Sequence, residues 1–252
     1  MFKRVLTQGV TASPGFKIRN LIRDSMHAPA VASTSKNPLK NIAVGFKHKA
    51  DMKRMEAGGG AFSQEGYIHG NDPDAIKSLV GVSSDSILNN PNKIKMMWKK
   101  YEDFGNTLEN INRVASFKKD LAEGKSLLEA NFNARDQLDF SRSGSFTSVR
   151  FLTQTITFLN ARMQGLDKIG RSAMDESQRK QFVQVIGMYT LASVSLMLAL
   201  VGDDDYDEAQ EWEKRTYHLF KIPGVDKMFR IPRPFEVGAI AYMIEQMTKQ
   251  FA

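Results

Sequence analysis

Apolar residues recur three or four positions apart in two long stretches of the chain, and this spacing places them on one side of a helix. The first stretch carries Met97, Tyr101, Phe104, Leu108, Ile111 and Ala115. The second carries Val149, Leu152, Ile156, Leu159, Met163 and Leu166. A shorter helix between them begins at the capping box formed by Ser126 and Glu129. Two long helices joined in this way predict an antiparallel bundle whose stripes face each other or a third, apolar helix.

The third helix is predicted to start at the capping signal of Asp175 and to contain no charged residue between Gln181 and Gly202. Seven carboxylates follow between Asp203 and Glu213. A helix of about 20 uncharged residues is long enough to cross the hydrocarbon core of a bilayer, which is roughly 30 Å thick. The residues that we expect to contact either lipid or a protein core are Phe182, Val183, Ile186, Leu191, Val194, Leu198 and Val201.

Two interpretations of this helix stay open. If it inserts into a membrane, the basic residues upstream of it predict that its N-terminal side stays cytoplasmic and that its acidic side crosses. If it is instead the central helix of a soluble bundle, it is apolar on all sides because other helices surround it. The polar residues Gln184, Thr190 and Ser193 interrupt its apolar surface and fit the second interpretation.

The chain divides into three predicted parts. Residues 1–57 form a basic helical region, in which Pro14 and Pro38 stand in the first turns of two helices. Residues 58–91 form a glycine-rich loop and a short helix that begins with Pro73. Residues 92–252 form the bundle, and Pro223-Gly224 predicts the turn of a hairpin at about 216–231. The predicted fold is therefore mainly α: a helical bundle around an apolar central helix, with one small β-hairpin near the C-terminus.

Composition restricts the chemistry of the chain. It has 252 residues, no cysteine and four scattered histidines, which excludes disulfides, thiolate catalysis and a cysteine-based zinc site. The acidic run after the apolar helix lacks the spaced ligands and the glycine of a calcium-binding loop. The sequence contains no recognisable catalytic constellation. We therefore predict a protein that is not an enzyme and that holds no cofactor or metal.

The net charge of +7 is concentrated near the N-terminus, where residues 1–55 contain eleven Lys or Arg and two carboxylates. Such a block can bind phosphates of nucleic acid or of anionic lipid, or it can simply be a solvated helix face. The candidate phosphate-binding residues are Lys36, Lys40, Lys47, Lys49 and Lys53.

Several segments occur in an order that resembles a known family. They include RVLTQGVTASPGFKIRNLIRD near the start, ENINRVASFKKDLAEGKSLLEANFNARDQLDFSRSGS and TFLNARMQGLDKIGRSA in the middle, and WEKR and FRIPRPFEVGAI near the end. Together they resemble the C-terminal domain of phage large polyvalent proteins, including internal virion proteins that short-tailed phages eject with their DNA. The family supplies no catalytic residues. The motif positions that carry over, with an expected structural role, are Asn110, Arg113, Gly124, Phe140, Gly144, Asn160, Gln164, Gly165, Pro232 and Pro234.

The resemblance implies an internal virion or ejection protein, or its C-terminal domain. Such a protein is stored in the virion interior and delivered into the host cell envelope, where it helps to form a conduit for the genome. The implied partners are portal or other ejection proteins, genomic DNA, the host membrane and further copies of the chain. The alternatives are a soluble interaction module of a polyvalent phage protein and a DNA-binding protein.

Overall fold

A computed structural model describes residues 13–61, 91–137, 146–156 and 159–251. These residues form eleven helices and one two-stranded antiparallel sheet. The predicted fold class is confirmed: the chain is mainly helical, with one long apolar helix and a hairpin near the C-terminus.

The helices and strands of the described residues follow one another in sequence order. In order they are α1 Pro14–Val31, α2 Pro38–Lys47, α3 Lys49–Ala57, α4 Pro91–Ala122, α5 Leu127–Arg135, α6 Thr147–Thr155, α7 Leu159–Met174, α8 Glu176–Leu198, α9 Asp204–Glu208, α10 Glu211–Thr216, β1 Tyr217–Ile222, β2 Val225–Pro232 and α11 Phe235–Lys249.

Side-chain caps fix the starts of three helices. The carboxamide of Asn37 accepts hydrogen bonds from the first backbone N–H groups of α2, and the hydroxyl of Ser126 accepts from the N–H of Glu129 in α5. The carboxylate of Asp175 accepts from the N–H of Ser177 in α8. Each cap satisfies a donor that has no partner inside its own helix, which is why these helices begin where the sequence predicts.

The long helix α4 organises the first half of the structure, where it contacts α1, α2, α3 and α5. Leu108, Ile111 and Ala115 of its apolar stripe are buried, while Phe104 is exposed. The largest core cluster lies along the same helix and consists of Met52, Met55, Val114, Phe117, Ala130 and Ala134.

The second predicted stripe does not form one helix. Helix α6 ends at Thr155, Ile156 has an extended backbone, and α7 begins at Leu159. Three of the residues around the break are β-branched, which lowers their preference for helical backbone. Leu152, Ile156, Met163 and Leu166 are exposed, so the prediction that this stripe packs against the first stripe or the apolar helix is wrong.

The apolar helix α8 organises the second half, where it contacts α1, α7, α11 and β1. It ends at Leu198, so Val201 lies in the turn after the helix rather than on it. Two core clusters line its inner side. One contains Ala30, Val31, Val185 and Val237, and the other contains Met197, Leu200, Tyr206 and Leu219.

The hairpin lies where the sequence predicts it. Tyr217 pairs with Pro232 at its open end and Lys221 with Met228 near its turn. Gly224 occupies the turn with φ 82°, a conformation that glycine adopts without steric cost. Pro232 ends the second strand, and Pro234 has extended backbone immediately before α11.

The N-terminal helices pack directly on the bundle, since α1 contacts α4, α7, α8 and α11. Most of the predicted glycine-rich segment, including the short helix at Pro73, lies outside the described residues. The division into three parts stays a prediction.

Close packing between α2 and α4 gives a stability test. A Cβ on Gly45 would lie 2.6 Å from both Cγ2 and the carbonyl oxygen of Ile111. We expect Gly45→Ala to lower the free energy of unfolding by about 1–3 kcal/mol, because α4 must move away. The control is Gly187→Ala on the exposed side of α8, where nothing lies within 4 Å of a new Cβ. It should raise the free energy of unfolding by about 0.5–1 kcal/mol. Urea unfolding measures the free energy of unfolding of both variants. Equal changes in the two would contradict the close packing of Gly45 on Ile111.

Candidate functional site

The apolar helix α8 buries two polar residues together with Val185 and Met197, and it exposes several large apolar residues beside Gln184 and Ser195. The buried residues on its inner side include Thr190 and Ser193. On the opposite side, Val183 is 60% exposed and Leu191 is 69% exposed. Met188 and Leu198 are also exposed, and no charged residue interrupts this surface. We call Val183, Met188, Leu191 and Leu198 the outward face of α8.

The structure places the predicted lipid or core residues on both sides of the helix. Phe182, Ile186 and Val194 are half-buried, and Val183, Leu191, Leu198 and Val201 are exposed. By length and composition α8 is able to cross a membrane, although a buried core helix meets the same two criteria. Only 22% of its most apolar 18-residue window is buried, so α8 is not a fully enclosed core helix.

A buried ion pair holds the inner side of α8. The guanidinium of Arg233 donates to both carboxylate oxygens of Glu245, at 2.7 and 2.9 Å. Arg233 also donates to the hydroxyl of Ser193 at 3.0 Å, and that hydroxyl in turn donates to Glu245. All three side chains are buried. Since a buried charge is tolerated only when it is paired and hydrogen-bonded, these contacts satisfy the pair and attach it to α8.

His218 of the hairpin completes this polar cluster. Its Nδ1 lies 3.3 Å from the hydroxyl of Ser193, and its Nε2 lies 2.6 Å from the hydroxyl of Tyr189. Burial, together with the positive charge of Arg233, lowers the pKa of His218 to about 3, so the imidazole is neutral at physiological pH. Serine, histidine and glutamate meet here, but they are enclosed, and a nucleophile must be reached by its substrate.

Arg233 connects five elements, since α1, α10 and β1 contact it in addition to α8 and α11. Its Nε donates to the carbonyl of Tyr217 in β1, its backbone N–H donates to the carbonyl of Thr216, and its own carbonyl accepts from Arg23 of α1. Neither Arg233 nor its partner is predicted from the sequence. The sequence feature that indicates the pair is Glu245, because a lone carboxylate in the apolar run AYMIEQM requires a partner when it is buried.

Helix α11 has a similar arrangement. Glu245 is buried, while an apolar ridge with a spacing of four residues is exposed. The ridge consists of Phe235, Ala239, Met243 and Met247. The helical spacing of Val237, Ile240, Ile244, Met247 and Phe251 predicts one apolar stripe here, but the stripe is divided: Val237 is buried, and Met247 and Phe251 are exposed.

The predicted phosphate-binding lysines lie on and beside two successive helices. Lys40 and Lys47 are exposed on α2, and Lys53 is exposed on α3. Lys36 donates to the side chain of Gln184 on α8 at 2.5 Å. The side chain of Lys49 lies outside the described residues. Their binding of phosphate stays a prediction.

The motif residues have structural surroundings where they are described. Asn110 and Arg113 are buried in α4. Gly165 of α7 lies against α11, since a Cβ there would be 2.5 Å from a carboxylate oxygen of Glu236. The remaining positions are Gly124, which has φ 82° in the turn after α4, Asn160 and Gln164, which lie one turn apart on α7, Pro232 and Pro234, which are buried beside Arg233, and Gly144 and Phe140, which lie outside the described residues.

The acidic run after α8 is partly neutralised. Lys221 of the hairpin lies 2.7 Å from the carboxylates of both Asp203 and Asp205. Among the described residues, no group of three or more histidines and carboxylates is arranged to hold a metal ion.

The buried ion pair predicts an asymmetric mutational response. Glu245→Leu leaves the charge of Arg233 buried without its partner, and we expect the free energy of unfolding to fall by about 3–5 kcal/mol. The double variant Arg233→Met/Glu245→Leu should recover much of that loss, because neither charge remains. Asp167→Asn, which breaks an exposed pair with Arg171, is the control and should change the free energy of unfolding by less than about 1 kcal/mol. A double variant that is less stable than the single variant would contradict this account.

His218 predicts a pH dependence of stability. Its pKa is about 3 in the folded protein against an ordinary value of 6.5, so between these values the unfolded chain binds a proton that the folded chain does not. Stability is therefore lost as the pH falls below about 6.5, by about 2 kcal/mol at pH 5 from this group. We expect His218→Gln to lose less stability than the parent protein between pH 7 and pH 5 in urea unfolding. Equal losses would show that His218 does not remain neutral.

Comparison with known proteins finds a family model that matches the C-terminal part of the chain. Residues 203–252 match the family model described as large polyvalent protein associated domain 38, which indicates a domain associated with phage large polyvalent proteins. The match comprises α9, α10, the hairpin and α11, and thus includes Arg233, Glu245 and His218. No curated protein and no solved structure matches the chain.

Proposed function

We propose that the chain is an internal virion protein of a bacteriophage, or a domain of one, that is stored in the capsid and delivered into the host envelope. There it helps to form a conduit for the genome, together with other ejection proteins and further copies of itself. The observation that carries this proposal is the outward face of α8, an uncharged surface of exposed large apolar residues on a helix that buries the polar Thr190 and Ser193.

The first supporting argument is energetic. Transfer of one large aliphatic side chain out of water stabilises it by about 1.5–3 kcal/mol, so the outward face of α8 is costly to leave in water. In a bilayer the lipid covers that face. Membrane proteins place polar and ionisable groups toward the protein interior, where they find partners, and this is the location of Ser193, Arg233 and Glu245.

The second argument is geometric. The uncharged part of α8 from Gln181 to Leu198 is about 27 Å long, because a helix rises about 1.5 Å per residue. This length is close to the roughly 30 Å of a hydrocarbon core. Basic residues precede the segment and carboxylates follow it, which supports an orientation with its N-terminal end on the cytoplasmic side.

The third argument is the family match. The matched residues are those that hold the inner side of α8 through the hairpin and α11. Their likeness to a domain of phage polyvalent proteins supports a phage origin for the whole chain. We further propose a role without catalysis, since Ser193 and His218 are enclosed.

A soluble interaction module is the second candidate. Large apolar residues are exposed far from α8 as well, and Leu128 on α5 is 80% exposed. In this case partner proteins, rather than lipid, cover the exposed surfaces. The outward face of α8 is then buried only in a protein–protein interface.

Vesicle flotation separates the two candidates. We expect the full chain to float with phosphatidylcholine vesicles, and Leu191→Glu to weaken this association at least tenfold, because a carboxylate on the outward face must enter lipid. Leu128→Glu places the same charge on another exposed leucine and should leave flotation unchanged. Parent protein that stays in the aqueous fraction at every lipid concentration would favour the interaction module.

Mass spectrometry of the phage that encodes the chain tests the virion role directly. We expect peptides of the chain in purified particles before infection and in the host envelope fraction afterwards. A chain that is synthesised only after infection and is missing from particles would contradict storage in the capsid.

A further inference from the structure

Helix α2 carries an exposed apolar ridge with exposed lysines along one of its flanks. Leu39 is 74% exposed and Phe46 is 46% exposed, and Ala43 is exposed between them, so the three lie on one side of the helix. Lys40 and Lys47 are exposed on the same side, each next in sequence to a large apolar residue. The sequence of α2, PLKNIAVGFK, contains no carboxylate.

The opposite side of α2 is fixed, so this ridge is held in place. Asn41 is buried, and its side chain donates to the carbonyl of Ser35 at 2.8 Å and accepts from the N–H of Ser35 at 3.0 Å. One turn further on, Gly45 packs directly on Ile111 of α4. Rotation of α2 about its axis would break these contacts. The contacts of Asn41 and Gly45 therefore keep the ridge facing solvent.

The start of α2 lies beside the outward face of α8. Lys36, two residues before α2, donates to the carboxamide of Gln184, which follows Val183 on the exposed side of α8. A basic segment distant in sequence is thus placed next to the N-terminal half of the apolar helix. This is the end that the charge distribution assigns to the cytoplasmic side of a membrane.

We propose that α2 is a second membrane contact, which binds anionic phospholipid through Lys36, Lys40 and Lys47 while Leu39 and Phe46 enter the acyl region. The proposal rests on the proposed function, because it assumes that α8 meets a bilayer. Lysine suits this place because its aliphatic stem lies along apolar surface while its ammonium group reaches the phosphates. Nucleic acid offers the same phosphates but would leave Leu39 and Phe46 in water, so the exposed ridge favours lipid.

Vesicle composition provides the test. We expect the full chain to bind vesicles of phosphatidylcholine and phosphatidylglycerol, mixed about 3:1, more tightly than pure phosphatidylcholine, and this preference should shrink as NaCl is raised. Lys40→Gln/Lys47→Gln should weaken binding to the anionic vesicles by about 30-fold, from the usual contribution of a lysine at such a surface. Its binding to pure phosphatidylcholine should be unchanged.

Matched variants give the controls. Lys227→Gln/Lys249→Gln removes the same charge from two exposed lysines of the hairpin and α11, and should change binding less than about threefold. Leu39→Ser/Phe46→Ser should weaken binding to both vesicle types. Thermal unfolding of each variant should match that of the parent protein, because all four altered side chains on α2 are exposed.

The outcomes separate the two proposals. Equal binding to both vesicle types, with no effect of the lysine variant, would overturn the role of α2 and leave the membrane role of α8 intact. An absence of binding to any vesicle would overturn both proposals. Duplex DNA gives the opposite outcome. If the parent protein binds duplex DNA, the lysine variant binds it more weakly, and Leu39→Ser/Phe46→Ser changes neither DNA binding nor vesicle flotation, then α2 binds nucleic acid and the lipid proposal is overturned.

Discussion

The buried pair of Arg233 and Glu245 is the interaction on which the C-terminal half depends. Two charges in a protein interior are tolerated only with complete hydrogen bonding, and the partners come from α8, the hairpin and α1. The pair therefore fixes which side of α8 turns inward. Ser193 must face the pair, and Leu191 and Val183 then face away from it.

Because Thr190 and Ser193 of α8 face inward, several of its large apolar residues are left, beside Gln184 and Ser195, for the surroundings. Helix α11 repeats the arrangement, with Glu245 inside and a methionine-containing ridge outside. A soluble monomer normally has the reverse distribution. The surfaces of both helices are thus suited to an environment that is itself apolar, whether lipid or another protein. Methionine, with its flexible side chain, adapts well to either.

Local signals predicted much of the fold. Caps at Asn37, Ser126 and Asp175 and the turn at Gly224 act over a few residues and are visible in the sequence. The break at Ile156 was missed because a regular apolar spacing continues across a run of β-branched residues that prefers extended backbone. The direction in which α8 faces was not predictable, because it is decided by Arg233 and Glu245, far away in sequence.

The many ties of Arg233 also restrict how the protein can rearrange. The hairpin cannot separate from α8 without breaking the hydrogen bond of Arg233 to Ser193 and the contacts of His218 with Tyr189 and Ser193. Any large movement that carries α8 into a new environment should therefore carry the hairpin, α11 and α1 with it, because Arg23 of α1 also donates to the carbonyl of Arg233.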